Sequence, residues 1–411
     1  MRRRGIEGAL RLSTKGSKRM KTFLATGAAL TAALLSTTTA FAESWDDVVQ
    51  EAKGQTVFFN AWGGDERINA YIEWAGDRVK EDYGVTLRHV KLSDTAEAVN
   101  RVRLEKEAGK TDGGSVDLIW INGENFATMK SEGLLFGPFA GDLPGFDKVD
   151  VDGKPTTVLD FQTPTDGFES PWGMAQFNVI AESEGFPTDL MALDDWAANN
   201  PGRFTYPQPP NFLGTTFLKQ ATLALTGDAD ALYGDVAEAD FDAVTAPLWA
   251  FLDDLHPNLW QGGAAFPASG PAAQQLLSDG ETSATLSFFP LEGPALVAAG
   301  TLDEGIVVQG FDQGSIGNTH FVAIPFNSSV SAGAQVFANF LLSPEAQIRK
   351  QDLDAWGDAT VLNEAALTAD EQNALLEATN GLSVSVGDVL PEPHPSWTEA
   401  LEEAWTQRYG S

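Results

Sequence analysis

The sequence predicts an α/β protein in which helices cover layered sheets. Short apolar runs alternate with amphipathic stretches through the first half of the chain, which is typical of strands followed by helices. The 411-residue chain contains no cysteine, so a hydrophobic core has to stabilise the fold without disulfides. Without the first 42 residues, 369 remain, and this length suits two domains with a large core.

Three strands and three helices are predicted in the first half of the chain. Each strand is a short apolar run, and each helix carries apolar residues at helical spacing. In chain order they are a strand at 56–60, a helix at 66–83, a strand at 85–90, a helix at 95–108, a strand at 116–121 and a helix at 125–132. The next stretch, 137–171, is rich in Gly, Pro and Asp, which indicates a connection at the edge of a domain.

A second α/β region is predicted to begin at 194–199. Its strands are expected at 203–206, 284–289, 305–310 and 319–324, and its helices at 216–225, 240–254, 332–342, 344–350 and 396–408. Trp397, Leu401 and Trp405 recur at helical spacing, which supports the last of these helices.

The N-terminus predicts a secretory signal peptide covering residues 1–42. A basic leader precedes an apolar run of about 13 residues, which is shorter than the roughly 20 that a membrane span needs. Ala40-Phe41-Ala42 is a small-residue cleavage site. Met20 directly precedes Lys21 and is an alternative start, so residues 1–19 are a candidate start-site artefact. A lipoprotein needs a cysteine at its cleavage site, and we therefore expect a protein free in a Gram-negative periplasm.

The charge of the chain excludes two classes of partner. Eight of the 26 Lys and Arg residues, but only one of the 58 acidic residues, lie in the first 42 positions, so the remainder carries a net charge of −39. Nucleic acid and anionic membranes are recognised by basic surfaces, and neither is an expected partner. The acidic residues are spread along the chain, which indicates a solvated surface.

Motifs of common enzymes are absent from the sequence. Ala108-Gly109-Lys110-Thr111 resembles the end of a phosphate loop, but Leu104 replaces the first glycine, and the stretch follows a predicted helix instead of a strand. The four histidines are scattered, and without cysteine they make a weak zinc site. No GxSxG nucleophile turn is present. We therefore predict that the protein has no catalytic site, no metal site and no cofactor.

Aromatic and amide side chains recur where predicted strands end. Trp62 follows the first strand, Asn122, Glu124 and Asn125 follow the strand at 116–121, and Phe288 and Phe289 end a later one. Ligands of open α/β sheets bind beyond the carboxyl ends of strands, where aromatics supply contact area and polar groups orient the ligand. Core packing is the alternative for each tryptophan, and a plain tight turn is the alternative for Gly63-Gly64.

Several stretches together resemble bacterial extracellular solute-binding proteins of family 1, in particular its YnjB-like branch. They are AWGG at 61–64, DLIWINGENFATMKSEGLL at 117–135, PWGMAQFNVIAESEGFP at 171–187, DDWAANNPGRFTYPQPPNFLGTTFLKQ at 194–220 and ANFLLSPEAQ at 338–347. The resemblance implies a type II-like fold of two α/β lobes joined by a hinge, with the ligand in the cleft between them. It implies a first lobe of 43–171 plus about 319–350, and a second of 172–318 plus about 351–411.

The resemblance also implies which residues line the cleft. They are Trp62, Gly63 and Gly64, Asn122, Gly123 and Glu124, Trp172 and Gly173, Phe212, Thr215 and Thr216, and more weakly Glu292 and Asn318. A helix cap is the alternative for Thr215. The expected partners are a small solute and the permease subunits of an ABC importer driven by a separate ATPase. We expect the binding protein to be a monomer.

The same residues favour a polar, cationic organic solute such as thiamine or a polyamine. Aromatic rings beside Glu124 and Glu292 suit an organic cation, and no arginine is apparent near these loops to hold an anion. Iron is disfavoured, because iron-binding relatives use adjacent tyrosines and none of the five here are neighbours. A sugar or other neutral solute is the alternative, and a secreted α/β hydrolase is a more distant one.

Overall fold

A computed structural model describes residues 44–384 and 386–410, and the predicted signal peptide lies outside them. The helices are α1 Trp45–Ala52, α2 Glu66–Tyr83, α3 Ala96–Glu107, α4 Gly123–Ser131, α5 Leu193–Asn199, α6 Phe212–Leu225, α7 Phe241–Leu255, α8 Gly270–Ser278, α9 Glu292–Ala298, α10 Ser331–Leu341, α11 Pro344–Gln351, α12 Ala369–Ala378 and α13 Ser396–Tyr409. The strands are β1 Thr56–Trp62, β2 Thr86–Leu92, β3 Leu118–Ile121, β4 Leu159–Asp160, β5 Thr163–Pro164, β6 Glu169–Gln176, β7 Asn178–Ala181, β8 Ala284–Ser287, β9 Val307–Gln309, β10 Ser315–Ala323 and β11 Val389–Pro391. None of the helices in this part of the chain is long and apolar enough to cross a membrane.

The first sheet contains six strands in the order β11-β10-β3-β1-β2, with β6 also paired to β10. β1 runs parallel to β2 and β3, whereas β10 is antiparallel to β3 and β6. The carboxyl ends of β1 and β3 therefore lie at one edge, and the loops that start α2 and α4 follow there.

Both faces of the first sheet are covered. Along β10, Val322 packs in the core shared with α1, α2 and α10, and its neighbours Phe321 and Ala323 pack in the core shared with α3 and α4. Successive side chains on a strand point to opposite faces, so two helical layers each receive alternate residues.

The second sheet is small and antiparallel, with strand order β8-β7-β9. Its core is built with helices α5, α6, α7 and α13, and Trp397, Leu401 and Trp405 of α13 are completely buried there. The helical spacing of these three residues thus reflects core packing.

The final segment of the chain divides its packing between the two sheets. Trp356, Val361 and Leu375 pack in the core of the first sheet. α13 packs in the core of the second, and β11 between them pairs with the start of β10. β6 and β7 are also consecutive strands of different sheets. The chain thus passes repeatedly between two lobes.

Most predicted elements are confirmed, with differences of a few residues at their ends. α2 has the predicted bounds, and α6 begins four residues earlier than predicted because Asn211 caps it. The strand predicted at 203–206 is wrong. Phe204 and Tyr206 are buried there, but the backbone makes isolated hydrogen bonds to Trp260 and Ser283 instead of a ladder. The elements that lie outside the predicted ones are the helices α1, α8, α9 and α12 and the strands β4, β5, β6, β7 and β11.

Candidate functional site

The loop after β1 brings a large ring onto a glycine turn. Trp62 is half-buried, and a Cβ at Gly64 would overlap its indole ring. A Cβ at Gly63 would overlap the stem of Lys91. Asp65 then caps α2, since its carboxylate accepts from the backbone N–H of Arg67 at 2.7 Å. The two glycines are therefore needed for close approach by neighbouring side chains.

The loop after β3 forms the start of α4. Gly123 has φ of 61°, a conformation that favours glycine, and its N–H donates to the Asp160 carboxylate at 2.6 Å. Glu124 accepts from the Asn125 amide at 3.0 Å, and its other oxygen has no protein partner within the described chain. Burial raises the pKa of Glu124. Asn122 occupies the N-cap position without making a side-chain cap.

α6 of the second lobe contributes the predicted residues Phe212, Thr215 and Thr216. Phe212 is half-buried at the first turn, and Thr216 is completely buried. The alternative that Thr215 caps this helix is wrong: Asn211 is the cap, and the Thr215 hydroxyl donates to Glu402 at 2.6 Å. Burial raises the pKa of Glu402 to about 7.

Lys219, on the same helix, places a buried ammonium among predicted site residues. Its Nζ donates to Glu392 at 2.6 Å and lies 4.5 Å from the centre of the Phe161 ring and 5.5 Å from that of Phe212. The Asn318 amide donates to the other Glu392 oxygen at 2.9 Å. Gly123, Phe212 and Asn318 thus meet around the Phe161 ring and the Lys219 ammonium, and we name this group the junction.

Carboxyl groups outnumber ammonium groups at the junction. Asp160 and Glu169 are both buried, and burial raises the pKa of each well above its usual range. Glu124 and Glu402 interact electrostatically with the Lys219 charge as well. One ammonium therefore faces several acids, and burial is the largest cause of their raised pKa values.

A second group of predicted residues meets beside the Trp62 turn. Arg67, three residues beyond Gly64, donates to the Glu292 carboxylate at 3.1 Å. Ser287 also donates to Glu292, and burial raises the pKa of this carboxyl. The expectation that no arginine lies near these loops is therefore wrong. Arg67 belongs to α2 on the first sheet, and Glu292 begins α9 beside the second, so this ion pair joins the lobes.

Trp172 and Gly173 form a third group, within β6. Trp172 is completely buried and packs edge-to-face against Trp120 and Trp356, at centroid distances of 5.0 and 5.4 Å. A Cβ at Gly173 would overlap the buried ion pair between Lys350 and Asp358, whose charged atoms lie 2.6 Å apart. Packing explains both residues, and their contact with a solute stays a prediction.

The cavities do not coincide with all of these groups. A cavity of about 500 Å³ in the second lobe is lined by Asp228, Asp230, Asp235, Glu238 and Asp240 among others, and no predicted site residue borders it. A cavity of about 10 Å³ at the junction is lined by Phe161, Gln162, Asn318 and Glu392. Within residues 44–384 and 386–410, no group of three or more His, Asp or Glu side chains is placed to hold a metal ion. We assign the candidate site to the junction and the Trp62 turn, because they gather the polar groups at strand and helix ends.

Sequence reasoning missed Asp160, Phe161, Lys219 and Glu392. Lys219 had a usable signal, since it is the one charged residue in the apolar helix sequence FLGTTFLKQATLAL. A lysine in such a helix is rarely buried unless it is paired. Asp160 and Phe161 had none, because they lie in the stretch that composition identifies only as a connection.

Two comparisons with known sequences agree on the family of this chain. A sequence model described as bacterial extracellular solute-binding protein matches residues 74–378. Protein YnjB of Escherichia coli (strain K12) is 45% identical over 373 residues, covering 90% of this chain and 95% of YnjB.

Solved structures share the fold at low sequence identity. The periplasmic binding protein AfuA from Actinobacillus pleuropneumoniae, bound to fructose-6-phosphate, aligns with a TM-score of 0.61 at 14% identity, over 87% of this chain and 99% of AfuA. A putative spermidine/putrescine ABC transporter protein from Listeria monocytogenes aligns with a TM-score of 0.60 at 15% identity, over 86% of this chain and 98% of its own. The predicted two-lobe binding-protein fold is thereby confirmed.

Proposed function

Because the chain belongs to the bacterial extracellular solute-binding proteins, we propose that it is the periplasmic component of an ABC importer that captures a small, polar, cationic organic solute. Thiamine and polyamines have the required chemistry. Members of the family bind solutes instead of transforming them, so the chain is not an enzyme, as the sequence predicted.

The excess of carboxyl groups at the junction is the observation that carries the proposal. Glu124, Asp160, Glu392 and Glu402 surround a single ammonium, Lys219. The same place supplies aromatic faces, and the Lys219 ammonium already uses two of them. A solute cation would neutralise acids that the protein leaves unmatched, and cation–π contact would add to its binding.

The proposed cleft residues are those that the sequence suggested. Six of them lie around the junction, namely Gly123, Glu124, Phe212, Thr215, Thr216 and Asn318. Four lie around the Arg67 ion pair, namely Trp62, Gly63, Gly64 and Glu292. Asn122 occupies the N-cap position of α4, next to Gly123. Trp172 and Gly173, which lie in β6, complete the proposed set. We also propose that residues 351–378 belong to the first lobe, since Trp356 and Leu375 pack in its core.

Delivery to a permease follows from the proposed transport role. Periplasmic binding proteins close around their solutes by hinge motion of the two lobes, and a ligand stabilises the closed state only through contacts that the open state lacks. We propose a monomeric protein in the periplasm whose closed form docks on the permease subunits of an importer with a separate ATPase.

A neutral sugar is the second candidate, and the Trp62 turn favours it. The half-buried Trp62 ring offers a flat face for stacking, and one guanidinium nitrogen of Arg67 has no hydrogen-bond partner within the described chain. Calorimetry with spermidine, thiamine and glucose distinguishes the candidates. Heat with glucose and none with either cation would overturn the proposal of a cationic solute.

Trp62→Ala tests the location of the site. We expect binding of the cation to be at least about tenfold weaker than in the unmodified protein. An aromatic ring that packs fully against a ligand contributes more than about 1.4 kcal/mol to the binding free energy. The melting temperature should change little. Trp260→Ala is the matched control, since Trp260 is also half-buried but bonds Glu281 in the second lobe. A Trp62→Ala protein that fails to fold would identify this residue as core.

A further inference from the structure

The hairpin formed by β4 and β5 has an unusual tip. Its two turn residues, Phe161 and Gln162, have φ of 41° and 65°, values that L residues other than Asn, Asp and His rarely adopt. Turns of this kind normally contain glycine. Phe161 is nevertheless 2% exposed, so the surrounding contacts hold a strained turn in a buried position.

We call residues 160–162 the tip, and its first residue, Asp160, contacts the start of α4. The Asp160 carboxylate accepts from the Gly123 N–H at 2.6 Å, and Asp160 is 1% exposed. Backbone N–H groups at a helix N-terminus carry partial positive charge and bind anions. The second Asp160 oxygen has no partner within the described chain, although it is buried. An internal carboxylate thus takes a position at which polar ligand groups commonly bind.

The Phe161 ring fills the space between the two lobes. A Cβ at Gly123 would lie 3.0 Å from this ring, so the ring touches the start of α4. On its other side it contacts α6, with the Lys219 ammonium 4.5 Å and the Phe212 centroid 6.3 Å from its centre. The side-chain amide of Gln162 donates to the Glu392 carbonyl at 2.9 Å. Every tip residue therefore contacts a residue of the junction.

The remaining space at the junction is too small for a solute. The cavity bordered by Phe161, Gln162, Asn318 and Glu392 measures about 10 Å³, which is close to the room that one water molecule needs. With the lobes in this arrangement, an amine or a sugar fits at the junction only if the tip leaves.

We propose that residues 160–162 are an internal ligand of the cleft, which an incoming solute displaces. The proposal rests on the proposed function for the position of the solute site. Its energetic basis is the strained turn and the buried Asp160 oxygen, both of which are relieved when the tip leaves. Since a solute binds only the displaced fraction, its apparent affinity is lowered by that fraction.

Hydrogen exchange of the unmodified protein tests the displacement without any solute. We expect the Gly123 amide, which the tip protects, to exchange at least about tenfold faster than interior amides of α4, through a local opening. Exchange of Gly123 at the same rate as those amides would overturn the proposal, because the tip would then leave only when the helix unfolds.

Thiol labelling gives a second readout, since the chain contains no natural cysteine. Phe161→Cys should react much faster than global unfolding allows, whereas the control Phe126→Cys, buried on α4, should react only at the unfolding rate. Equal rates for the two variants would contradict the proposal. If Phe161→Cys does not fold, the amide exchange above decides.

Adding spermidine separates an internal ligand from a fixed wall of the site. Displacement predicts that spermidine speeds labelling of Phe161→Cys, because the bound solute keeps the tip out of the cleft. Slower labelling with spermidine would mean that the tip is a fixed wall of the site, and would overturn the proposal. If neither spermidine nor thiamine shifts the melting temperature, the proposed solute class fails, while the exchange of Gly123 still decides whether the tip opens.

Discussion

Glu402 couples the stability of the protein to pH. Burial raises its pKa to about 7. The hydrogen bond from Thr215 and the Lys219 charge lower this pKa, whereas the charges of Glu124 and Asp94 raise it. The folded protein holds the proton up to about pH 7, whereas the unfolded chain releases it near its ordinary pKa of about 4.3. The folded state thus binds more protons between these values, and stability falls as pH rises through this window.

Glu402→Gln should therefore stabilise the protein at pH 8 and have little effect at pH 4. We expect a melting temperature higher by roughly 1–3 °C at pH 8, because the uncharged amide avoids the cost of a partly buried charge. The exposed neighbour Glu403→Gln is the control and should change little at either pH. A loss of stability at pH 8 would show that the ionised Glu402 is favourably paired.

Lys219→Met should destabilise the protein strongly. The substitution leaves the Glu392 carboxylate buried without its cation, and breaking such a buried pair costs about 3–5 kcal/mol. The double variant Lys219→Met with Glu392→Gln should recover part of this loss, since no isolated charge remains. Urea unfolding measures both, and equal losses in the single and double variants would contradict the pairing.

Individual residues were predictable where sequence neighbours determine their surroundings. The close approach of Trp62 to its glycines could be expected, because both lie in one turn. Lys219 and Glu392 could not be paired from sequence, since 173 positions separate them and the three-dimensional fold alone brings them to 2.6 Å. The packing of Trp172 against Trp356 could not be predicted from the sequence for the same reason.

At the scale of secondary structure, β6 depends on a glycine at the point where the ion pair of Lys350 and Asp358 packs. Gly173→Ala should lower the free energy of unfolding by about 1–3 kcal/mol, because the new methyl group overlaps these charged atoms and the strand has to shift. Gly141→Ala is the control, as an added Cβ there meets no atom within 4 Å. Denaturant titration measures both, and equal effects would show that the strand accommodates the methyl group.

Elements with their own periodicity were predicted well, and elements that depend on distant partners were not. β1 and α2 carry clear apolar patterns and were located within two residues. β6 contains Pro171 and Gly173, which usually argue against a strand, and its ladder with β10 exists because the two meet between the lobes. At 203–206 the pattern predicted a strand, but the buried chain finds no neighbouring strand to pair with.

At the scale of the whole molecule, the alternation of strands and helices predicted the fold class, and the family resemblance predicted the two lobes. The sequence could not show how the lobes touch. In the structure they touch through Arg67 with Glu292, through the tip of the hairpin with α4 and α6, and through the Phe289 ring, which packs against both cores. The polar contacts among these can be exchanged for a solute without exposing apolar surface, which suits a cleft that has to open.

The Arg67 ion pair should hold the two lobes together. Arg67→Met removes it and leaves Glu292, whose side chain is 6% exposed, without its cation at the interface between the lobes. We therefore expect the lobes to separate, and small-angle X-ray scattering should show a larger radius of gyration than that of the unmodified protein, for which a compact chain of 369 residues predicts roughly 21 Å. Arg78→Met is the control, because Arg78 lies on the same helix but pairs with Glu81, Asp82 and Glu345 of the first lobe. Exchanging the charges, with Arg67→Glu and Glu292→Arg together, should restore the compact value. An unchanged radius in Arg67→Met would show that other contacts, the hairpin tip among them, suffice to keep the cleft closed.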